Sequence, residues 1–228
     1  LGLAALGVVG LNVGISGRIL VLFVFGQYLP FIGFPLLYFR RGRRMSWSEI
    51  RAYLGVRVPS LIEFGLVLGG LISLFLLVSG MAYLVTQILG LQPASNNAGR
   101  VAQSNPGIIP LFVVGSLLVI GPCEETLFRG TVQNRIREAL SARVAITLSA
   151  LLFASIHVTA LTGPLGARAT TIVILLVPSF VFGAIYEYTE NLVVPALIHG
   201  LWNALLFASI WVTMQADLPS GAGALLPL

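Results

Sequence analysis

Apolar residues in this chain gather into runs long enough to cross a bilayer, separated by short polar or arginine-rich stretches. Ile19–Phe39, Leu61–Leu91, Ile108 to about Leu140, Val144–Leu161, Thr170–Tyr186 and Leu192–Met214 read as six helical spans, since a crossing takes about 20 residues. Pro30 and Pro35 predict a kink in the first of them, because proline removes a backbone donor and crowds the preceding turn. Leu1–Ser16 is apolar but short and reads as the tail of a truncated helix, and a start without methionine suggests that residue 1 is internal. Met45–Tyr53 has two open readings. Ser46 with Glu49 three residues on predicts a short capped interfacial helix, and the alternative is a plain charged loop. Gln92–Gly107 is the clearest polar loop, and the Gly/Pro-rich tail Asp217–Leu228 reads as loose. No repeat is visible. The expected fold is an all-α, polytopic membrane helix bundle of about six to seven transmembrane segments, forming a single integral membrane domain over residues 1–228.

Composition supports that class. Of 228 residues, 57% are hydrophobic and 9% charged, against roughly one-quarter charged in soluble domains. The net charge of +5 does not point to nucleic acid, because Arg40, Arg41, Arg43, Arg44, Arg51 and Arg57 form one local block between apolar runs. Such a block reads as a cytoplasmic loop under the positive-inside rule. Alternating sides then sends Arg129–Arg143 to the same face, so both basic clusters agree. No cleavable signal is evident, and the single cysteine, Cys123, excludes an internal disulfide.

Against this apolar background, Glu124, Glu125 and Arg129 stand out. A charged side chain near the bilayer centre costs about 2.5–3.5 kcal/mol on insertion scales, so such groups pair, face protein or do chemistry. Glu125 and Arg129 stand four apart and predict an intrahelical ion pair that braces the helix. Glu124 is turned by about 100° from Glu125 and has no local partner. His157 follows Phe153 by four residues and Asn203 follows His199 by four, which predicts ring packing of Phe153 on His157 and two polar groups facing one place. A carboxylate and an imidazole sharing a water can remove its proton as it attacks a carbonyl. A second imidazole and a carboxamide can stabilise the oxyanion. Glu124 with His157 suits the first task, and His199 with Asn203 the second. The plainer reading is that the histidines only bond between helices. Cys123 reads as a small buried hydrophobe. A proton-coupled transporter is a weaker alternative, because no inverted repeat or pair of broken helices is visible.

Three motifs, Glu124-Glu125-x-x-x-Arg129, Phe153-x-x-x-His157 and His199-x-x-x-Asn203, resemble those of the CPBP intramembrane proteases, which include CAAX prenyl endopeptidases of the Ras-converting type and bacteriocin-processing or immunity relatives. Thr189-Glu190-Asn191-Leu192 and Pro195 resemble that family's lead-in to its last motif. The resemblance covers roughly 107–213 and marks a motif-bearing core. It implies an intramembrane endopeptidase with Glu124 as general base beside His157, His199 and Asn203 as oxyanion hole, and Glu125, Arg129 and Phe153 as support. The substrate it implies is a peptide or protein associated with the membrane and its lipid, CAAX-type and lipidated in the best-known members. No cofactor is required for this chemistry. Relatives are labelled metalloproteases, and a zinc reading would use Glu124, His157 and His199, although the short His-Glu-x-x-His spacing is missing. The alternative within the resemblance is a non-enzymatic scaffold of the immunity type that binds a peptide or partner.

Depth leaves a tension. Counted from the arginine-rich side, His199 lies about 12 Å and His157 about 20 Å along their helices. The two meet if the helix starting near Ser141 projects into the cytoplasm. The expectation is then an integral protein of the cell membrane whose cavity opens on the cytoplasmic, arginine-rich side.

Overall fold

A computed structural model describes residues 14–216. Six helices are long and apolar enough to span a membrane: α1 (Ile15–Gly42), α3 (Leu61–Ile88), α5 (Pro106–Arg137), α6 (Ala142–Ala160), α7 (Leu165–Thr189) and α8 (Val193–Gln215). Two short helices lie between spans, α2 (Trp47–Leu54) and α4 (Asn97–Ser104). A two-residue strand on either side, β1 (Ser95–Asn96) and β2 (Leu161–Thr162), pairs antiparallel. The bundle is therefore all-α and polytopic, as the apolar runs predict. The readings of residues 1–13 and of Asp217–Leu228 lie outside the described residues.

Local sequence explains where the helices begin. Ser46 accepts from the Glu49 amide while the Glu49 carboxylate accepts from the Ser46 amide, a complete capping box, so 45–53 resolves as a helix and not a plain loop. Ser60 and Glu63 repeat the device at the start of α3. Asn96 caps α4 by accepting from the amides of Ala98 and Gly99. α2 ends at Gly55, whose φ is +67°. A β-carbon there would lie 2.0 Å from the Glu190 carbonyl oxygen, so the left-handed turn and the close docking of α2 on the α7–α8 connection both need glycine.

α5 is continuous but not uniform. Its turns widen to the π type over Ser116–Ile120 and Thr126–Gln133, with a regular α turn, Gly121–Glu125, between them. Pro122 supplies no backbone donor to the preceding turn, and widened turns of this kind recur at functional sites. The irregular stretch packs on α8. A β-carbon at Gly121 would lie 2.7 Å from the Ala196 oxygen, and one at Gly200 would lie 2.9 Å from the Ser116 oxygen. Two facing glycines thus let the backbones approach as small residues do in membrane helix pairs. Glu124 lies three residues beyond Gly121 and His199 lies next to Gly200, so this crossing sets the spacing of the polar groups.

In the second half of α5, Arg129 and Gln133 are fully buried. Gln133 Nε2 donates to Gly183 O at 3.0 Å, and Ser149 Oγ donates to Phe128 O at 2.9 Å. Their polarity is used inside the bundle.

Candidate active site

Glu124 is buried, and its two oxygens have different surroundings. Oε1 accepts from Gln27 Nε2 on α1 at 3.2 Å. Oε2 has no hydrogen-bond partner among the described residues. It stands 3.9 Å from His157 Nε2 and 3.8 Å from His199 Nε2. Both distances exceed a direct hydrogen bond. They suit one water held between the groups.

Each imidazole is oriented by its other nitrogen. His157 Nδ1 lies 2.7 Å from Phe153 O, and a carbonyl can only accept, so Nδ1 carries the proton and Nε2 turns toward Glu124. His199 Nδ1 lies 2.8 Å from Glu125 Oε1 and donates to that carboxylate in the same way. An Nε2–H on His199, which an oxyanion needs, is then the doubly protonated ring.

Behind His199 stands a second set of contacts. Arg129 NH1 donates to the same Glu125 Oε1 at 3.1 Å, with both side chains fully buried. Arg129 NH2 reaches Ser179 O at 2.8 Å and Ser179 Oγ at 2.9 Å on α7. The guanidinium lies 4.6 Å from the Phe153 ring centroid. Phe182 stacks on His199 at 4.7 Å and 17°, and Phe153 tilts against His157 at 4.7 Å. The expected Glu125–Arg129 pair is present, and its reach extends one residue further than a brace. It fixes the ring of His199 through Glu125.

Glu124, His157, His199 and Asn203 all line one cavity of about 250 Å³, together with Gln27 and Phe153. Its inner wall is apolar, with Val78, Ile174, Leu175, Trp202 and Leu206. Gln27 and Asn96 are the carboxamide contributors that the motifs did not single out. The available signal for Gln27 was one carboxamide inside the apolar run Ile19–Phe39, a costly polar group in lipid.

The end of α6 contributes to the cavity lining. His157 follows the last α-helical residue of α6, Ile156, so it stands at the end of the helix away from the arginine-rich loops. The lining includes Asn96, Ala98 and Ala160, from the connections at that same end. The offset counted along the helices does not keep the two imidazoles apart, since both Nε2 atoms lie within 3.9 Å of Glu124 Oε2.

Among the described residues, no group of three or more His, Cys, Asp or Glu side chains is arranged to hold a metal ion. Glu124, His157 and His199, the residues of the zinc reading, bring one unpartnered oxygen within 3.9 Å and 3.8 Å of two imidazole nitrogens.

No curated protein and no solved structure matches the chain. A family model does match, over residues 106–205, and it is described as Rce1-like, type II CAAX prenyl endopeptidase Rce1-like. The matched stretch runs from the start of α5 into α8 and contains Glu124, Glu125, Arg129, Phe153, His157, His199 and Asn203, so the motif-bearing stretch of this chain is similar to the Rce1-like family, in agreement with the CPBP resemblance of its motifs.

Proposed function

We propose that this protein is an intramembrane endopeptidase of the broad CAAX-protease type, in which Glu124 and His157 activate the attacking water. The observation that carries the reading is Glu124 Oε2, buried, without a hydrogen-bond partner among the described residues, and 3.9 Å and 3.8 Å from two imidazole nitrogens in one cavity. A water held there donates one hydrogen to Oε2 and its oxygen attacks the peptide carbonyl carbon as Glu124 takes the proton. The carbonyl oxygen becomes an oxyanion that accepts from protonated His199 Nε2 and from Asn203 Nδ2. Collapse breaks the C–N bond, and the proton held by Glu124 passes to the departing amine. The products are a carboxylate and a free amine, and no covalent enzyme intermediate forms.

Other residues keep these groups in place. Gln27 holds Oε1 and so presents Oε2 to the imidazoles, Phe153 O fixes the His157 ring, and Glu125 with Arg129 fixes the His199 ring. The apolar wall of Val78, Ile174, Leu175, Trp202 and Leu206 suits an aliphatic or aromatic side chain beside the scissile bond. The substrate is a membrane-associated peptide, and residence in the cell membrane belongs to the same proposal.

The test uses the full chain in proteoliposomes with a panel of quenched fluorescent peptides, including a farnesylated CAAX peptide and unlipidated apolar peptides. Wild type is expected to cleave at least one, and Glu124→Gln to abolish cleavage with an unchanged Tm. Full activity of Glu124→Gln would remove Glu124 from the chemistry. Binding that survives Glu124→Gln, with no turnover by wild type, is the result expected of an immunity-type scaffold.

A further inference from the structure

The two ends of the bundle are built differently around the cavity. On the arginine-rich end, α2 lies across the helix ends and is fixed there by backbone and side-chain bonds. Asn134 Nδ2 donates to Tyr53 O at 3.0 Å, Tyr186 Oη donates to Leu54 O at 3.2 Å, and the Leu192 amide donates to Gly55 O at 3.1 Å. Phe39, Ile50, Leu54, Tyr186 and Leu192 form a buried apolar cluster beneath it. A β-carbon on Gly130 would meet Leu54 Cδ2 at 2.8 Å, which shows how closely α2 closes over α5. Between this cap and Glu124 lie Gln133 and Arg129, both with no exposed surface. The site is sealed in that direction by several buried layers.

At the opposite end α4 and the β1–β2 pair lie over the helix ends, with the Ala94 amide donating to Thr171 Oγ1 at 2.8 Å and to Ala167 O at 3.1 Å, but the cavity reaches this cover with no layer of buried charged residues between. The cavity runs outward past His157, which is half-buried, to Asn96, Ala98 and Ala160, all partly exposed. From Arg137, Glu124 lies about 20 Å along α5, whereas His157 is only about 5 Å from Ala160 along α6. Nine arginines, Arg40, Arg41, Arg43, Arg44, Arg51, Arg57, Arg135, Arg137 and Arg143, occupy the sealed end, against Arg18, Arg100 and Arg168 at the other. That asymmetry assigns the sealed end to the cytoplasm.

We infer that the cavity takes its substrate from the membrane face opposite the arginine-rich loops, so the substrate class is a peptide presented on the non-cytoplasmic side and not a lipidated tail in the cytoplasm. This rests on the hydrolytic reading of the same cavity. Asn96 and Ala160, next to the β1–β2 pair, form the rim past which the peptide enters. An apolar side chain then settles against Trp202 and Leu206 while its carbonyl reaches Glu124.

Sidedness can be read without turnover. Single cysteines are placed at the rim, Ala98→Cys and Ala160→Cys, and on the sealed face, Ser48→Cys; the native Cys123 is fully buried. A membrane-impermeant maleimide is applied to intact bacterial cells and to permeabilised ones. The rim cysteines are expected to react in intact cells, and Ser48→Cys only after permeabilisation. The reverse pattern overturns the inference. In proteoliposomes sorted to one orientation, a peptide that wild type cleaves is then added to one side at a time. Cleavage is expected from the rim side, and it is expected to stop when Ala160→Cys carries the maleimide. Cleavage confined to the Ser48 side overturns the inference even if the labelling pattern holds. An absence of cleavage for every peptide from both sides counts against the hydrolytic reading alone, because the labelling reports the access face independently.

Discussion

Glutamate and arginine meet at two depths in this protein, with different consequences. At the arginine-rich end, Glu138 accepts from Arg43 and Arg135 and from Tyr53 Oη at 2.7 Å, while Arg137 reaches Glu187 at 2.7 Å. These side chains are a quarter to two-fifths exposed. Partial burial pushes Glu138 up, but hydrogen bonds from Tyr53, Arg43 and Arg135 outweigh it and hold the carboxyl at about 2. Tyr53 is pushed up to about 12, first by burial and then by its bond to Glu138. In the interior, Glu125 and Arg129 pair with no exposure at all. Exposed pairs contribute about 0–1 kcal/mol, whereas breaking a buried one costs about 3–5 kcal/mol because a charge is left uncompensated. The exposed pairs therefore tie down the membrane surface of the bundle, and the buried pair shapes the site. Glu124, by contrast, is held by a neutral carboxamide, which leaves one of its oxygens for water.

The largest way to break this contrast is Arg129→Met. Glu125 is left buried without its cation, so a loss of about 3–5 kcal/mol is expected, read as a lower Tm and folded yield in detergent. Cleavage per folded molecule should fall less than in Glu124→Gln. An unchanged Tm would show that the pair does not stabilise the bundle.

Gln27→Leu acts on the other interior carboxylate. It removes the donor from Glu124 Oε1 and lets the carboxylate turn, so kcat is expected to fall about 10–100-fold with KM nearly constant. Gln27→Asn should not recover it fully, because the shorter side chain falls short of Oε1. An unaltered kcat in Gln27→Leu would leave Glu124 positioned by α5 alone.

The smallest effect belongs to the surface. Glu138→Gln should lower stability at neutral pH by less than about 1 kcal/mol. The folded carboxyl titrates at about 2 and its ordinary value is 4.5, so the contribution is present above 4.5 and lost as pH falls toward 2. The Tm difference between wild type and Glu138→Gln should therefore close on acidification across that window. A difference that grows in acid would mean that Glu138 is not held by its three donors.

Much of the fold was legible because lipid imposes length and polarity limits that composition reveals directly. Six apolar runs became six helices, and Ser46 with Glu49 resolved into a capping box. The buried roles of Arg129 and Gln133 were less legible. A polar residue near a helix end looks the same whether it meets water or another helix, and only packing against α6 and α7 distinguishes the two.

By itself, the sequence determined the membrane bundle, the clustering of its arginines and the residue types that gather around the cavity, since each follows from local chemistry and helical spacing. Only the tertiary structure decided that Glu125 bonds His199 as well as Arg129, that Gln27 from a distant helix holds Glu124, and that Asn96 and Ala160 join the cavity lining. Those outcomes depend on how closely α5 and α8 approach at Gly121 and Gly200 and on where α6 ends. Such distances arise between segments far apart in the chain, where spacing along a single helix carries no information.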